Sequence, residues 1–107
     1  MIGHDAPQNV PTLDDMLANT ERFWSANGIA YSAAGRRKFH GGFLQVRPQL
    51  YLGGHYHRHF DETVTYGEGA GVFETRVVIL DCDGTAHRDA LAILDVATLQ
   101  IEYPDSD

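Results

Sequence analysis

The chain has 107 residues, enough for one domain, and its 43% hydrophobic content with eleven glycines suits a folded, turn-rich protein and excludes a disordered one. A formal net charge of −7 opposes phosphate backbones, so nucleic acid is excluded as a partner. One cysteine rules out an internal disulfide framework, no apolar run reaches membrane-spanning length, and the first residues lack a signal peptide's hydrophobic stretch; the expectation is a soluble, cytoplasmic protein with no membrane partner.

In chain order, Met1 to Pro11 is polar, holds two prolines and reads as an arm able to drape over the domain or a partner subunit. Thr12 with Asp15 three residues on opens a helix. Leu13, Met16, Leu17, Phe23 and Trp24 recur at helical spacing until Asn27-Gly28 closes it. Residues 1–28 are thus predicted as arm and helix, and 29–103 as a strand-rich unit. Within the latter, Ile29-Ala30-Tyr31 is a short strand, and Ala34-Gly35 and Gly41-Gly42 bracket a basic turn at Arg36-Arg37-Lys38. His40 is expected to be exposed. Phe43 to Arg47 alternates as a strand does, Pro48 marks an edge or bulge, and Leu50-Tyr51-Leu52 leads into a histidine-rich stretch.

That stretch, Gly53-Gly54-His55-Tyr56-His57-Arg58-His59-Phe60-Asp61-Glu62, has the residue types of a metal site. On a strand, His55 and His57 point the same way with backbones about 7 Å apart, a span two imidazoles can close onto one ion. Glu62 joins them only if the chain turns between Arg58 and Asp61 and returns as the neighbouring strand through Thr63-Val64-Thr65-Tyr66, ended by Gly67 and Gly69. A site made of His55, His57 and His59 on one strand would spread its outer ligands over about 13 Å, too far for one ion, which leaves His59 in the turn or at the pocket rim.

The spacing His55-x-His57-x4-Glu62-x6-Gly69 resembles the first signature of the cupin family, with Gln49 where that signature has a glycine. Cys82-Asp83-Gly84-Thr85-Ala86-His87 resembles the second, with cysteine in the proline position and Leu91 where an asparagine is usual. The resemblance implies an all-β jelly-roll barrel, here with one N-terminal helix, and His87 as a fourth ligand beside His55, His57 and Glu62. It implies one divalent transition-metal ion; imidazole and carboxylate ligands suit Fe, Mn, Ni, Co, Cu or Zn.

Val72 to Leu80 is the longest strand signal. Its continuation, Asp81-Cys82-Asp83-Gly84-Thr85, also resembles the nucleophile loop of haloacid-dehalogenase-like phosphatases, but no lysine follows it, and a β-turn is the preferred reading. Ala90 to Val96 is read as strand, Leu99 to Tyr103 alternates, and Pro104 to Asp107 is an acidic tail.

Three histidines and a carboxylate on an octahedral ion leave two neighbouring positions for dioxygen or a chelating substrate. The first functional expectation is therefore a metal-dependent oxidoreductase of dioxygenase type acting on a small organic molecule. The alternatives are a non-catalytic small-molecule binding or sensing protein, and an isomerase of a sugar or sugar phosphate. By parity Tyr66 accompanies Glu62 and is a candidate to face the pocket as donor or acid, and Arg47 and Tyr51 are candidates to hold an anionic substrate; packing within the barrel is the alternative, and for the two tyrosines the preferred one. A homodimer is expected, because small barrels leave edge strands and apolar outer faces that a second copy covers.

Overall fold

The computed structural model describes residues 1–82 and 87–104, with only the backbone described at 87 and 88. It overturns the all-β expectation. The fold is mixed: a helical layer, a three-stranded sheet, and a small two-stranded hairpin, with no closed barrel among the described residues.

Helix α1 (Pro11–Thr20) starts on a proline, whose missing N–H costs nothing in a first turn, and buries Leu13. Its preceding residue, Val10, has no side-chain oxygen to cap with. Glu62 supplies that function from the sheet: Thr12 N donates to Oε1 at 3.0 Å and Thr12 Oγ1 to Oε2 at 2.9 Å. A carboxylate there satisfies an orphan N–H and lies at the positive end of the helix dipole. A 3₁₀ turn, Glu21–Phe23, follows.

Helix α2 (Ala26–Val46) runs through the stretch expected to contain two strands and a basic turn. Ser25 caps it by accepting from Gly28 N at 3.0 Å, so Asn27-Gly28 opens a helix rather than closing one. Alanines, arginines, lysine, leucine and glutamine supply enough helix propensity to carry the interior glycines. Tertiary anchors do the rest. Phe43 is fully buried, and Arg36 donates to the Pro7 carbonyl from Nε (3.1 Å) and Nη2 (2.6 Å) while pairing with Asp14 at 2.9 Å. One guanidinium thus ties together α1, α2 and the arm. Arg47 ends the helix in a left-handed conformation (φ 51°), its N–H bonded to Phe43 O, and Pro48 prevents continuation.

The sheet has the order β1 (Leu50–Gly53), β3 (Phe73–Ile79), β2 (Phe60–Tyr66). β1 lies parallel to β3, with Leu50 opposite Arg76 and Gly53 opposite Ile79. β2 is antiparallel to β3, from Phe60 opposite Ile79 to Tyr66 opposite Phe73. This order contradicts the expected hairpin in which the histidine turn joins neighbouring strands. Instead, residues 54–59 cross the end of β3 to place β2 on its far side. The outer edge of β1 is paired by the arm: Ile2 bridges Leu52 in parallel, Gly3 N donates to Leu52 O and Leu52 N to Met1 O, both at 2.9 Å.

Period-two alternation divides the sheet faces. Tyr51, Phe60, Tyr66, Val77 and Ile79 meet Leu13, Phe43, Ala6 and Val10 in one core under the helices. On the other face, Arg76 holds Asp61 by two bonds (2.8 and 2.6 Å) and Tyr103 donates to Asp61 at 2.7 Å. There the chain after the short helix α3 (His87–Ala90) forms the hairpin β4 (Ile93–Asp95) and β5 (Gln100–Glu102), so the strand expected over Ala90 to Val96 is confined to three residues. Among the described residues no helix is long and apolar enough to cross a membrane.

Candidate functional site

A cleft of about 1300 Å³ opens between the helices and the C-terminal ends of β1 and β3. Its helical wall joins Met16, Leu17, Phe23, Trp24, Ile29 and Ala33 from α1, the 3₁₀ turn and α2 with the charged Asp14, Glu21, Arg36 and Arg37 of the same elements. Its opposite margin is polar, with His4 from the arm, His55, His57 and Arg58 from the crossing loop, and Asp81 and Cys82 after β3. Two parallel strands, β1 and β3, end side by side, and the residues that follow each of them, 54–58 and 80–82, line the cleft at their carboxyl ends.

The crossing loop is not strand. His55 (φ 75°) and His57 (φ 56°) both adopt left-handed conformations, which non-glycine residues visit at a cost of about 1 kcal/mol each. The conformation turns His55 toward the arm, where its Nδ1 lies 2.7 Å from His4 Nε2 and the two rings meet edge to face with centroids 4.6 Å apart. Gly54 N donates to His4 O at 3.3 Å, and the hydroxyls of Tyr56 and Tyr51 donate to Asp5, to its side chain and its carbonyl respectively. Burial, reinforced by Asp5, pushes both phenols well above their ordinary value, so they stay donors. Arm and loop are clasped residue against residue.

Behind the cleft, His40 accepts from Gln8 N through Nδ1 at 2.9 Å and stacks on Phe43. Burial first, and the Arg36 charge second, lower its pKa below 6.5, holding it neutral for that acceptor role.

Of the four residues anticipated as metal ligands, three have described side chains, and these do not converge. His55 and His57 line the cleft, whereas Glu62 turns to the N-terminus of α1 with both oxygens engaged there. His87 begins α3, and its side chain lies outside the described residues. Among the described residues no three histidine, cysteine, aspartate or glutamate side chains are placed to hold one ion. His59 stands on the hairpin side, with Nδ1 3.5 Å from Asp89 and its ring against Tyr103 at 4.8 Å.

The anticipated substrate residues also lie elsewhere. Tyr51 is fully buried under the arm. Tyr66 donates to Gln8 O at 2.9 Å inside the core, where burial pushes its phenol up to about 12. Arg47 sits at the far end of α2, donating to Gly71 O at 3.0 Å and lying over the Phe73 ring. Sequence reasoning missed His4 and the helical wall, and read Arg36-Arg37-Lys38 first as a solvated turn, with an anionic substrate or partner as the alternative. One signal was available: Ile29, Ala33, Arg36 and Arg37 fall on one helical face at i, i+4, i+7 and i+8. No family model, curated protein or solved structure matches this chain.

Proposed function

We propose that the protein binds a small amphipathic organic molecule in this cleft, an aliphatic or aromatic body ending in a carboxylate. The observation that carries the reading is that the cleft combines apolar side chains of the helices with arginines from α2 and the crossing loop and histidines from the arm and that loop. Charge supports the anionic head. The cleft is lined by three arginines (Arg36, Arg37, Arg58) and three acids (Asp14, Glu21, Asp81), a formal balance of zero in a chain of net charge −7. Arg36 and Asp14 cancel each other directly, and Arg37, Arg58 and the imidazoles, with Glu21 and Asp81 beside them, are left to meet a ligand.

The dioxygenase-type reaction has less support than binding, because its carboxylate ligand, Glu62, caps a helix. Trp24 is the chain's single tryptophan and lines the cleft, so its fluorescence reports on occupancy. Titration with decanoate or 2-naphthoate should give a saturable change that Leu17→Glu abolishes. A flat response up to millimolar ligand, in protein with an intact melting transition, refutes the proposal.

A second reading is favoured by the exposure of Phe23 (70%), Trp24 (68%) and Tyr31 (85%) around the first turns of α2. These residues form the contact for a second copy of the chain. Light scattering across a concentration series separates the readings, since dimer formation through this face would vanish in Tyr31→Glu while carboxylate titration would not require it.

A further inference from the structure

His4 and His55 meet at the rim of the cleft in a geometry that the role of an organic-ligand pocket does not require. Their nitrogens are 2.7 Å apart, both rings are solvent-accessible, and both backbones are held by the same ladder: Gly3 N to Leu52 O on one side, Gly54 N to His4 O on the other. With both imidazoles neutral, one nitrogen must carry the proton and the other accept it. A divalent transition-metal ion can take a lone pair from each ring once the proton between them has moved to its own ring's other nitrogen. At bonds of about 2.05 Å, two nitrogens at a right angle on one ion stand about 2.9 Å apart, so the pair needs to open by about 0.2 Å and its rings to turn until both lone pairs converge on the ion instead of facing each other. The left-handed backbone at His55 (φ 75°) is what presents Nδ1 to His4, and such conformations persist where surrounding structure enforces them. Here the neighbouring Tyr56, with its ring against His55 and its hydroxyl on Asp5, is that enforcement.

We propose that His4 and His55 form a two-imidazole site for one divalent transition-metal ion, its other positions filled by water or by a donor atom entering from the cleft. This ligand pair differs from the set anticipated from the histidine motif: it replaces Glu62 with a residue fifty-odd positions away, in an arm that carries no motif at all. The site does not depend on the cleft taking an organic carboxylate. Imidazole donors select nickel, copper or zinc over magnesium, and among divalent ions nickel and copper bind such donors more tightly than manganese or iron.

The test is calorimetric titration of the untagged full chain with Ni²⁺, Zn²⁺ and Mg²⁺. The expected result is one Ni²⁺ and one Zn²⁺ per chain and no heat with Mg²⁺. His4→Ala and His55→Ala should each weaken Ni²⁺ binding at least tenfold, with His4→Gln as the replacement if the alanine variant melts early, whereas Glu62→Gln should stay within twofold of the parent chain. The proposal is overturned if no Ni²⁺ binds, or if His55→Ala retains full affinity, which would mark a site of the terminal amine with His4. Equal loss in Glu62→Gln overturns it too, by restoring the motif-based ligand set.

Discussion

Replacing Gly35, Gly41 and Gly42 together by alanine should make the protein more stable, and the sign of that change separates a helix from the basic turn that the glycine pattern suggests. In the structure all three lie inside α2, none has a positive φ, and a Cβ added at any of them meets nothing within 4 Å. Each substitution therefore removes unfolded-state freedom and adds helix propensity without steric cost, about 0.5–1 kcal/mol apiece. Since the sites are exposed and share no partner, the sum is about 2 kcal/mol, which for a domain of this size raises the melting temperature by about 8–16 °C. Differential scanning calorimetry with far-UV circular dichroism reads both the shift and the helical signal. Gly67→Ala is the opposite-sign control, because its φ of 84° is left-handed and its Cβ would collide with the Gly71 carbonyl; it should lose more than about 1 kcal/mol. A triple variant that melts at or below the parent temperature would refute α2 as described.

Two further outcomes test how the arm and α1 are held. Glu62→Ala should lower stability by about 1 kcal/mol in urea titration, and a double-mutant cycle with Thr12→Ala should show a coupling of about 0.5 kcal/mol or more, whereas strict additivity would deny the cap. His40 has a folded pKa below its unfolded value of 6.5, so its contribution is complete above pH 6.5 and is lost as pH falls through the folded value. The urea midpoint should drop between pH 7 and pH 5, and His40→Gln, which keeps an acceptor for Gln8 N, should flatten that drop; an unchanged slope would sink the assignment.

Strands were legible wherever local alternation and burial agreed. The segments around Leu50, Thr63, Val77 and Ile101 all read as strands from composition, and all are strands. What could not be read was pairing. Residues 54–59 contain every sign of a tight turn between neighbours, yet β3, which follows in sequence, inserts between β1 and β2, and only long-range packing decides that order. The helix α2 was hidden by the opposite cause: Gly28, Gly35, Gly41 and Gly42 punctuate it as turns would, and its anchors, Phe43 in the core and Arg36 on Pro7 and Asp14, are tertiary. The same ambiguity misplaced the site. His55 and His57 do line the cleft, but strand parity cannot locate side chains on a loop with two left-handed residues. His4 had no local signal, because its partner stands fifty-one positions along the chain.

The arm's parallel pairing with β1 bears on how the chain acquires its shape as it is made. Ile2, Gly3 and His4 leave the ribosome well before their partners at Leu52 and Gly54, which emerge about fifty residues later, and β1 gains its inner neighbour only when Phe73–Ile79 has followed. The arm is thus made well before it can be seated, waiting on a loop closure of about fifty residues. A nascent chain halted before Phe73 would present β1 without β3, and the arm alone would stand between that strand and edge-to-edge pairing with another molecule.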